Sequence, residues 1–547
     1  MQSSRRSLGP AVLAAAALAT VPLLAAPRPA AAATTFIVTT ATDPGTGTAC
    51  PATVSAPCSL RAAITAANAS TGAVLITFGV PGPFDVHVGT LMVNGGETLT
   101  IKGAADGSTA IDGGNAVRVL AVAQVTSMSC PTTTTALTLD HITVQNGHET
   151  TTTPGMDDGF GGGVDVNCGD KLAVVDSTFS NNSAQRGGGA INDNTASAVS
   201  VLRSTFTGNS SGSSATDGGG AIEVSTAAAL TVVDSTFIAN TTAFDGGAIF
   251  GVSGAAVTLV NDTITGNTAP SGMAGGIATA INGSTTATNT IVSGNAATNC
   301  GGTVTDSGHN AERGTSCGFS SHAINTDPLL GTLQANGGPT RTMALQPGSP
   351  AIDAGDDTAC AAATTASPAG AGGLDQRGAT RPQGAHCDVG AYEVVATTTA
   401  LAAPSTATPG SSITLTATVT PGQALPGQPA GTVTFLDGTT VLGTGALGGG
   451  TPDTVAFTTT APAAGAHTLT ARYAATALFL GSTSAPVALT VTAPPTPTPN
   501  PTPAGGVAPI GTPNAGATPP AGGATALLGG GVVVGAVALV GRRRRRM

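Results

Sequence analysis

The chain has no tryptophan and two tyrosines among 547 residues, and charged residues make up 9% of it. A core of large side chains is therefore excluded, and what is buried must be small or β-branched and held in a regular lattice. An excess of basic charge is missing too. Arg5 and Arg6 precede an apolar run from Ala11 to Ala26, and small residues suited to cleavage follow near Ala33, so residues 1–33 read as a secretory signal. With that segment and the five arginines of the C-terminal tail set aside, 11 basic residues face 29 acidic ones, a formal charge of −18. A nucleic-acid partner is disfavoured for the exported part. Stretches long and periodic enough for an amphipathic helix are scarce, and neither C-x-x-C nor H-x-x-x-H spacing occurs, which argues against a zinc module. No cofactor or metal is expected.

What is there is repetition. Between residues 140 and 295 the chain writes LDHITVQN, VVDSTFSNN, VLRSTFTGN, VVDSTFIAN, LVNDTITGN and ATNTIVSGN, closing at Asn146, Asn182, Asn209, Asn240, Asn267 and Asn295. The steps of 36, 27, 31, 27 and 28 residues belong to a solenoid. Between these strands stand GGGVDV, GGGAIND, GGGAIEV, GGAIF and GGIAT, so each unit holds a short strand, an Asn turn, a glycine cluster and a second apolar strand. That is one coil of a right-handed parallel β-helix, about 4.8 Å from the next. Phe179, Phe206, Phe237, Ile264 and Val292 are expected to stack as one apolar column, with the Asn amides bonding along another. About ten coils are expected from Val74 to Thr342. CSLRAAITAAN, from Cys58 to Asn68, reads as a helix capped by Ser59, with Leu60, Ile64 and Ala67 on one face, covering the open end of the stack.

The same stretches carry resemblances. Alternation of F-x-x-N with G-G-A-I is similar to the repeats of chlamydial polymorphic outer-membrane proteins. CSLRAAITAAN resembles the CSLREA motif that opens such surface proteins, with Ala62 where the motif has Glu. DPLLGTLQANGGPTRTMALQPGSPAIDAG and LDQRGATRPQGAHCDVGAYE, between Asp327 and Glu393, resemble the choice-of-anchor Q domain that closes them. These resemblances imply an architecture and a cell-surface setting, not a reaction.

The eight cysteines all lie outside the signal, and an even number in an exported chain argues for disulfides. Sequential pairing is expected: Cys50 with Cys58, Cys130 with Cys168, Cys300 with Cys317 and Cys360 with Cys387. After Tyr392 the pattern changes. Residues 396–492 alternate with period two between turn residues, as in an antiparallel sandwich, and GTVTFLDGTTVLGT and GAHTLTARY resemble a bacterial Ig-like repeat. Residues 34–395 are then the β-helix with its cap and anchor-Q-like region. Residues 493–523 form a Pro/Thr/Gly-rich stalk, extended at about 3.1 Å per residue. Residues 524–541 are 18 uncharged residues, about 27 Å as a helix, which reads as a transmembrane anchor with the basic tail 542–547 inside the cell. A sortase signal is similar in layout, but no L-P-x-T-G precedes it.

Two groups of residues are candidates for a site. His148, Glu149, Asp157 and Asp158 lie on the longest polar insertion. Arg186, Asp217 and Asp245 each precede a glycine cluster, and one column of all three would put two carboxylates near the roughly 5 to 5.5 Å spacing of a retaining glycosidase. The paired signatures of polygalacturonases, which share this architecture, are incomplete: Asp157 and Asp158 are adjacent, but Glu149 follows Gly147 and His148. The expected role is non-catalytic adhesion to a polysaccharide or a cell-envelope component, the alternatives being a lyase or hydrolase and a purely structural envelope protein.

Overall fold

The structure is a computed structural model that describes residues 33–45, 50, 57–123, 133–150, 159–194, 196–212, 217–270, 274–361, 372–424, 427–450 and 452–496. Residues 1–32 of the predicted signal, the apolar run 524–541 and the basic tail lie outside these. Among the described residues no helix is long and apolar enough to cross a membrane.

From Thr34 to Asp306 the chain winds through three stacks of parallel strands. Face one has ten strands, from Thr34–Val38 to Val304–Asp306, face two has eight, from Phe84–Asp85 to Ile291–Ser293, and face three has eight, from Leu91–Val93 to Cys300–Gly301. A short fourth stack pairs His148–Glu149, Ser183–Ala184, Ser210–Ser211 and Thr241–Thr242. Register is kept by identical residues falling on identical positions. Phe84, Ile111, Val144, Phe179, Phe206, Phe237, Ile264 and Val292 form the inner column of face two, and the rings of Phe179, Phe206 and Phe237 stack at 5.0 and 4.6 Å. The helix α1, Leu60–Asn68, is capped by Ser59 and buries Leu60, Ile64 and Ala67 in the same core. Asn68 ties it to the first strand of face three, donating to the Met92 carbonyl at 2.7 Å and accepting from the Asn94 amide. The open end is covered as expected.

Two side-chain ladders run through the coils from Ile142 to Asn295. At the end of face two, the backbone N–H and Nδ2 of Asn182, Asn209, Asn240 and Asn267 each donate to the Oδ1 of the next Asn at 2.9–3.0 Å. Each Nδ2 also reaches back to a carbonyl of the preceding coil, such as that of Phe179. Only an amide supplies both the donors and the acceptor this requires. Asn146 is not part of that ladder: Thr178 pairs with Thr143, so Asn146 aligns with Asn181, and Gly147 takes the ladder position. The first step is thus 35 residues, because VQN lacks the second residue of SNN. At the corner between faces one and two, Ser177 Oγ receives the Ile142 amide, Ser204 that of Ser177, Ser235 that of Ser204, and Asp262 that of Ser235. One position earlier is a column of left-handed residues, His141, Asp176, Arg203, Asp234, Asn261, Asn289, His309 and His322, with φ between 47° and 59°.

The stack ends earlier than the sequence suggests. Beyond Asp306 only isolated bridges at Ala311 and Ile324 continue it, and Leu330–Gln334 and Thr342–Leu345 form an antiparallel pair, not further coils. Proline and glycine in the intervening NGGPT favour a reversal. The rest, to Glu393, is a strap laid along the corner. Gln376 donates to Thr205 Oγ1 at 2.8 Å and accepts from Thr236 Oγ1 at 2.6 Å. Ala391 donates to Thr263 and Gly390 to the Asn289 carbonyl. Arg381, fully buried, lies 3.4 Å from both Asp234 of the stack and Glu393 of the strap, and donates to the Asp388 and Gly390 carbonyls. Burial outweighs this arginine at Asp234, whose carboxyl is pushed up to about 7.

Three predicted disulfides are formed, Cys50–Cys58, Cys300–Cys317 and Cys360–Cys387, with Cα separations of 5.1, 4.8 and 6.7 Å. Cys168 is also disulfide-bonded, while its predicted partner Cys130 lies outside the described residues. Residues 397–491 form the sandwich. One sheet pairs Thr397–Ala402, Ser412–Pro421 and Asp453–Thr460, and the other is built on Ala430–Asp437, Thr440–Gly448, Gly465–Tyr473 and Val487–Val491. Leu415, Val433, Phe435, Leu469 and Leu489 fill the space between, and Tyr473 Oη donates to the Ala430 carbonyl at 2.9 Å.

Candidate functional site

The inward residues of face three are apolar at Val164, Ile191, Ile222 and Ile249, so the next residue on each strand points outward. Those residues are Asp165, Asn192, Glu223 and Phe250, in register. Outward residues normally meet water, yet Asp165, Asn192 and Glu223 are 1–2% exposed. The glycine clusters explain this, because they fold over the outer face of the coil. Gly188, Gly219 and Gly246 share a left-handed φ of 65–69° that a side chain would strain. A Cβ on Gly187 would lie 1.6 Å from Glu223 Oε2.

Under this cover lies a strip of paired polar groups. Arg118 donates to the carbonyls of Phe160 and Gly161, and lies 3.4 Å from Glu149 and 3.9 Å from Asp165. Asp165 accepts from Asn192 at 2.8 Å and from Asn167 at 2.7 Å. At the edge of the cover, the half-exposed Arg186 lies over the Phe160 ring at 4.3 Å and bonds Asp217 at 2.7 Å. Glu223 accepts from the Gly218 amide at 2.9 Å. Burial pushes its carboxyl up to about 8, and the charge of Asp217 adds to the rise. Burial thus favours the protonated form of Glu223, next to a carboxylate held by arginine.

The strip gathers Glu149, Arg186 and Asp217 and leaves out other candidates. His148 alternates to the other side of its strand and meets Ser183 Oγ. Asp157 and Asp158 lie outside the described residues. Asp245 is displaced from the expected column. Ile191, Ile222 and Ile249 are in register, so Arg186 aligns with Asp217 and Phe244, whereas Asp245 aligns with Gly218. The cause is GGAI, one glycine shorter than GGGAI. Asp245 accepts instead from the Ala274 amide, and the retaining-glycosidase spacing loses the shared column it rested on. Arg118, Asp165, Asn192 and Glu223 were missed, although for the last three a signal existed: a polar residue directly after the inward apolar one in GGGVDV, GGGAIND and GGGAIEV.

Asp140, His141 and Asp176 bring their ligand atoms within 4.8 Å of one another. Both carboxylates are already balanced, Asp140 by Lys102 and Asp176 by two 2.8 Å bonds from Arg203, which leaves little to attract an ion.

Two family models match parts of the chain. The Chlamydia polymorphic membrane protein repeat matches residues 176–194, the segment from the corner residue Asp176 through Asn182 and the glycine cluster to Asn194. The bacterial Ig-like domain (group 3) matches residues 398–492, the sandwich. The chain is similar to these families over those stretches. The CSLREA and anchor-Q resemblances rest on their motifs alone. Comparison with curated proteins and with solved structures gives no match.

Proposed function

We propose that this is an exported bacterial surface protein, a right-handed parallel β-helix lifted from the membrane by an Ig-like spacer and a stalk, anchored through residues 524–541. Its role is non-catalytic adhesion to a polysaccharide or a cell-envelope component. The observation that carries the reading is the polymorphic-membrane-protein repeat match on a coil that recurs along the stack, joined in one chain to an Ig-like domain. In the polar strip, Arg118, Asp165, Arg186 and Asp217 are engaged with one another or with backbone, so the strip braces neighbouring coils. A second reading, a polysaccharide lyase or glycoside hydrolase, draws on Glu223, a protonated acid beside the Asp217 carboxylate. A purely structural envelope role is the third.

One experiment separates them. Deleting residues 524–547 should release the protein into the medium, and retention on cells would sink the anchor. The released protein is then incubated with a panel of acidic and neutral polysaccharides. Retention without cleavage supports adhesion, cleavage products overturn it in favour of the enzyme, and neither leaves the structural role.

A further inference from the structure

The left-handed corner column changes character at its end. Through Arg203 and Asp234 it is covered by the strap, but its last two members, His309 and His322, stack at 4.6 Å on successive turns and line an open cleft of about 700 Å³. The strap contributes His386 and Asp357 to the same cleft, so three of the seven histidines meet there.

Two of the rings are held in one orientation. His309 Nδ1 lies 2.8 Å from the Ala354 carbonyl, which can only accept, so in the neutral ring Nδ1 carries the proton and Nε2 the lone pair. His386 Nδ1 is 2.9 Å from Asp357 Oδ2, with the same result. Asp357 is fixed in turn by the Cys387 amide at 2.9 Å, next to the Cys360–Cys387 disulfide. His322 is positioned by the adjacent Ser320 and Ser321 amides, both bonded to Asp306 at 2.7 Å. An imidazole whose Nδ1 donates to a carboxylate or carbonyl is the usual arrangement of a metal-binding histidine.

We propose that His309, His322 and His386 bind a divalent transition-metal ion through their Nε2 atoms, with Asp357 and the Ala354 carbonyl as orienting groups. Imidazole ligands select zinc or nickel over calcium or magnesium. The rings do not stand at coordination distance of a common point, so binding draws them together. The exposed His322 turns toward the Nε2 atoms of His309 and His386, which keep their orienting bonds. The bound ion would join the last turns of the stack to the strap.

The test is calorimetric titration of the full chain with zinc and, separately, with calcium. One zinc ion per chain is expected, with no calcium heat. His386→Ala and His322→Ala, both at exposed positions, should each weaken zinc binding at least tenfold, and Asp357→Asn should weaken it 10- to 100-fold. His148→Ala, in the solenoid wall, should bind as the parent does. Absence of zinc uptake at 100 μM, or parental affinity in His386→Ala with unchanged circular dichroism, would overturn the proposal.

Discussion

The solenoid and the sandwich use the same Thr, Ala, Ser and Gly, yet they bury different things. The stack and its strap hold Asp165, Asp170, Asp193, Glu223, Asp234, Asp262, Asp375, Asp388 and Glu393 away from water. In the sandwich, among the described residues, Asp453 is the buried carboxylate, and it does no more than accept from the Gly448 and Gly449 amides of a hairpin. The difference lies in what each fold offers a polar atom. A coil has another coil about 4.8 Å away that presents the same group in the same place, so amides and hydroxyls find partners by repetition. The inner face of a sandwich looks across about 10 Å at an unrelated sheet, where a polar group finds a partner only by accident. Periodicity makes burial of polar groups affordable.

Removing Arg381 tests this hardest. Arg381→Ala leaves the Asp388 and Gly390 carbonyls without their donor and the Asp234 and Glu393 carboxyls without their shared cation. It should destabilise the stack by about 3–5 kcal/mol. Hydrogen exchange should rise in residues 203–291 and not in residues 412–491; a uniform rise would mean that the strap does not act on the stack.

An effect of opposite sign is expected at Asp193. It points inward in the column of Val166 and Val224, and burial pushes its carboxyl up to about 7. Its unfolded pKa is near 3.9. Between those values the folded state keeps a proton the unfolded state has lost, so the group costs stability as pH rises from about 4 to 7, by up to about 1.4 kcal/mol per unit. Asp193→Asn should therefore raise the unfolding midpoint at pH 8 and change it little at pH 4. An equal shift at both would remove burial of the charge as the cause. Smallest is Tyr473→Phe in the sandwich, which loses one hydrogen bond and should cost about 1 kcal/mol, read as faster exchange confined to residues 430–473.

Much of this fold was legible because its signal is repeated. The Phe column, the Asn turn and the capping helix each follow from spacing in the sequence, and the sandwich from its alternation. The failures share one cause. Asn146 and Asp245 were aligned by counting from the nearest motif, and SNN against QN, or GGG against GG, each differ by one residue. Register is set by the hydrophobic strand that follows, where Ile191, Ile222 and Ile249 pair, and a slip of one sends a side chain to the opposite face. The strap was illegible for a different reason: its partners, such as Gln376 with Thr236, are 140 residues apart and follow no period. The buried strip was half legible, its polar positions visible in GGGAIND and GGGAIEV but not the glycine cover that hides them.

The strap also decides how the molecule takes tension. The sandwich joins it at Val395, which bonds Leu478 and Leu480, so a pull transmitted through the sandwich reaches the strap first. Bonded sideways to the coils at Thr205, Thr236, Thr263 and Asn289, the strap spreads that load over four turns in shear. A chain pulled by its final coil would instead unzip one turn at a time, breaking each ladder bond alone.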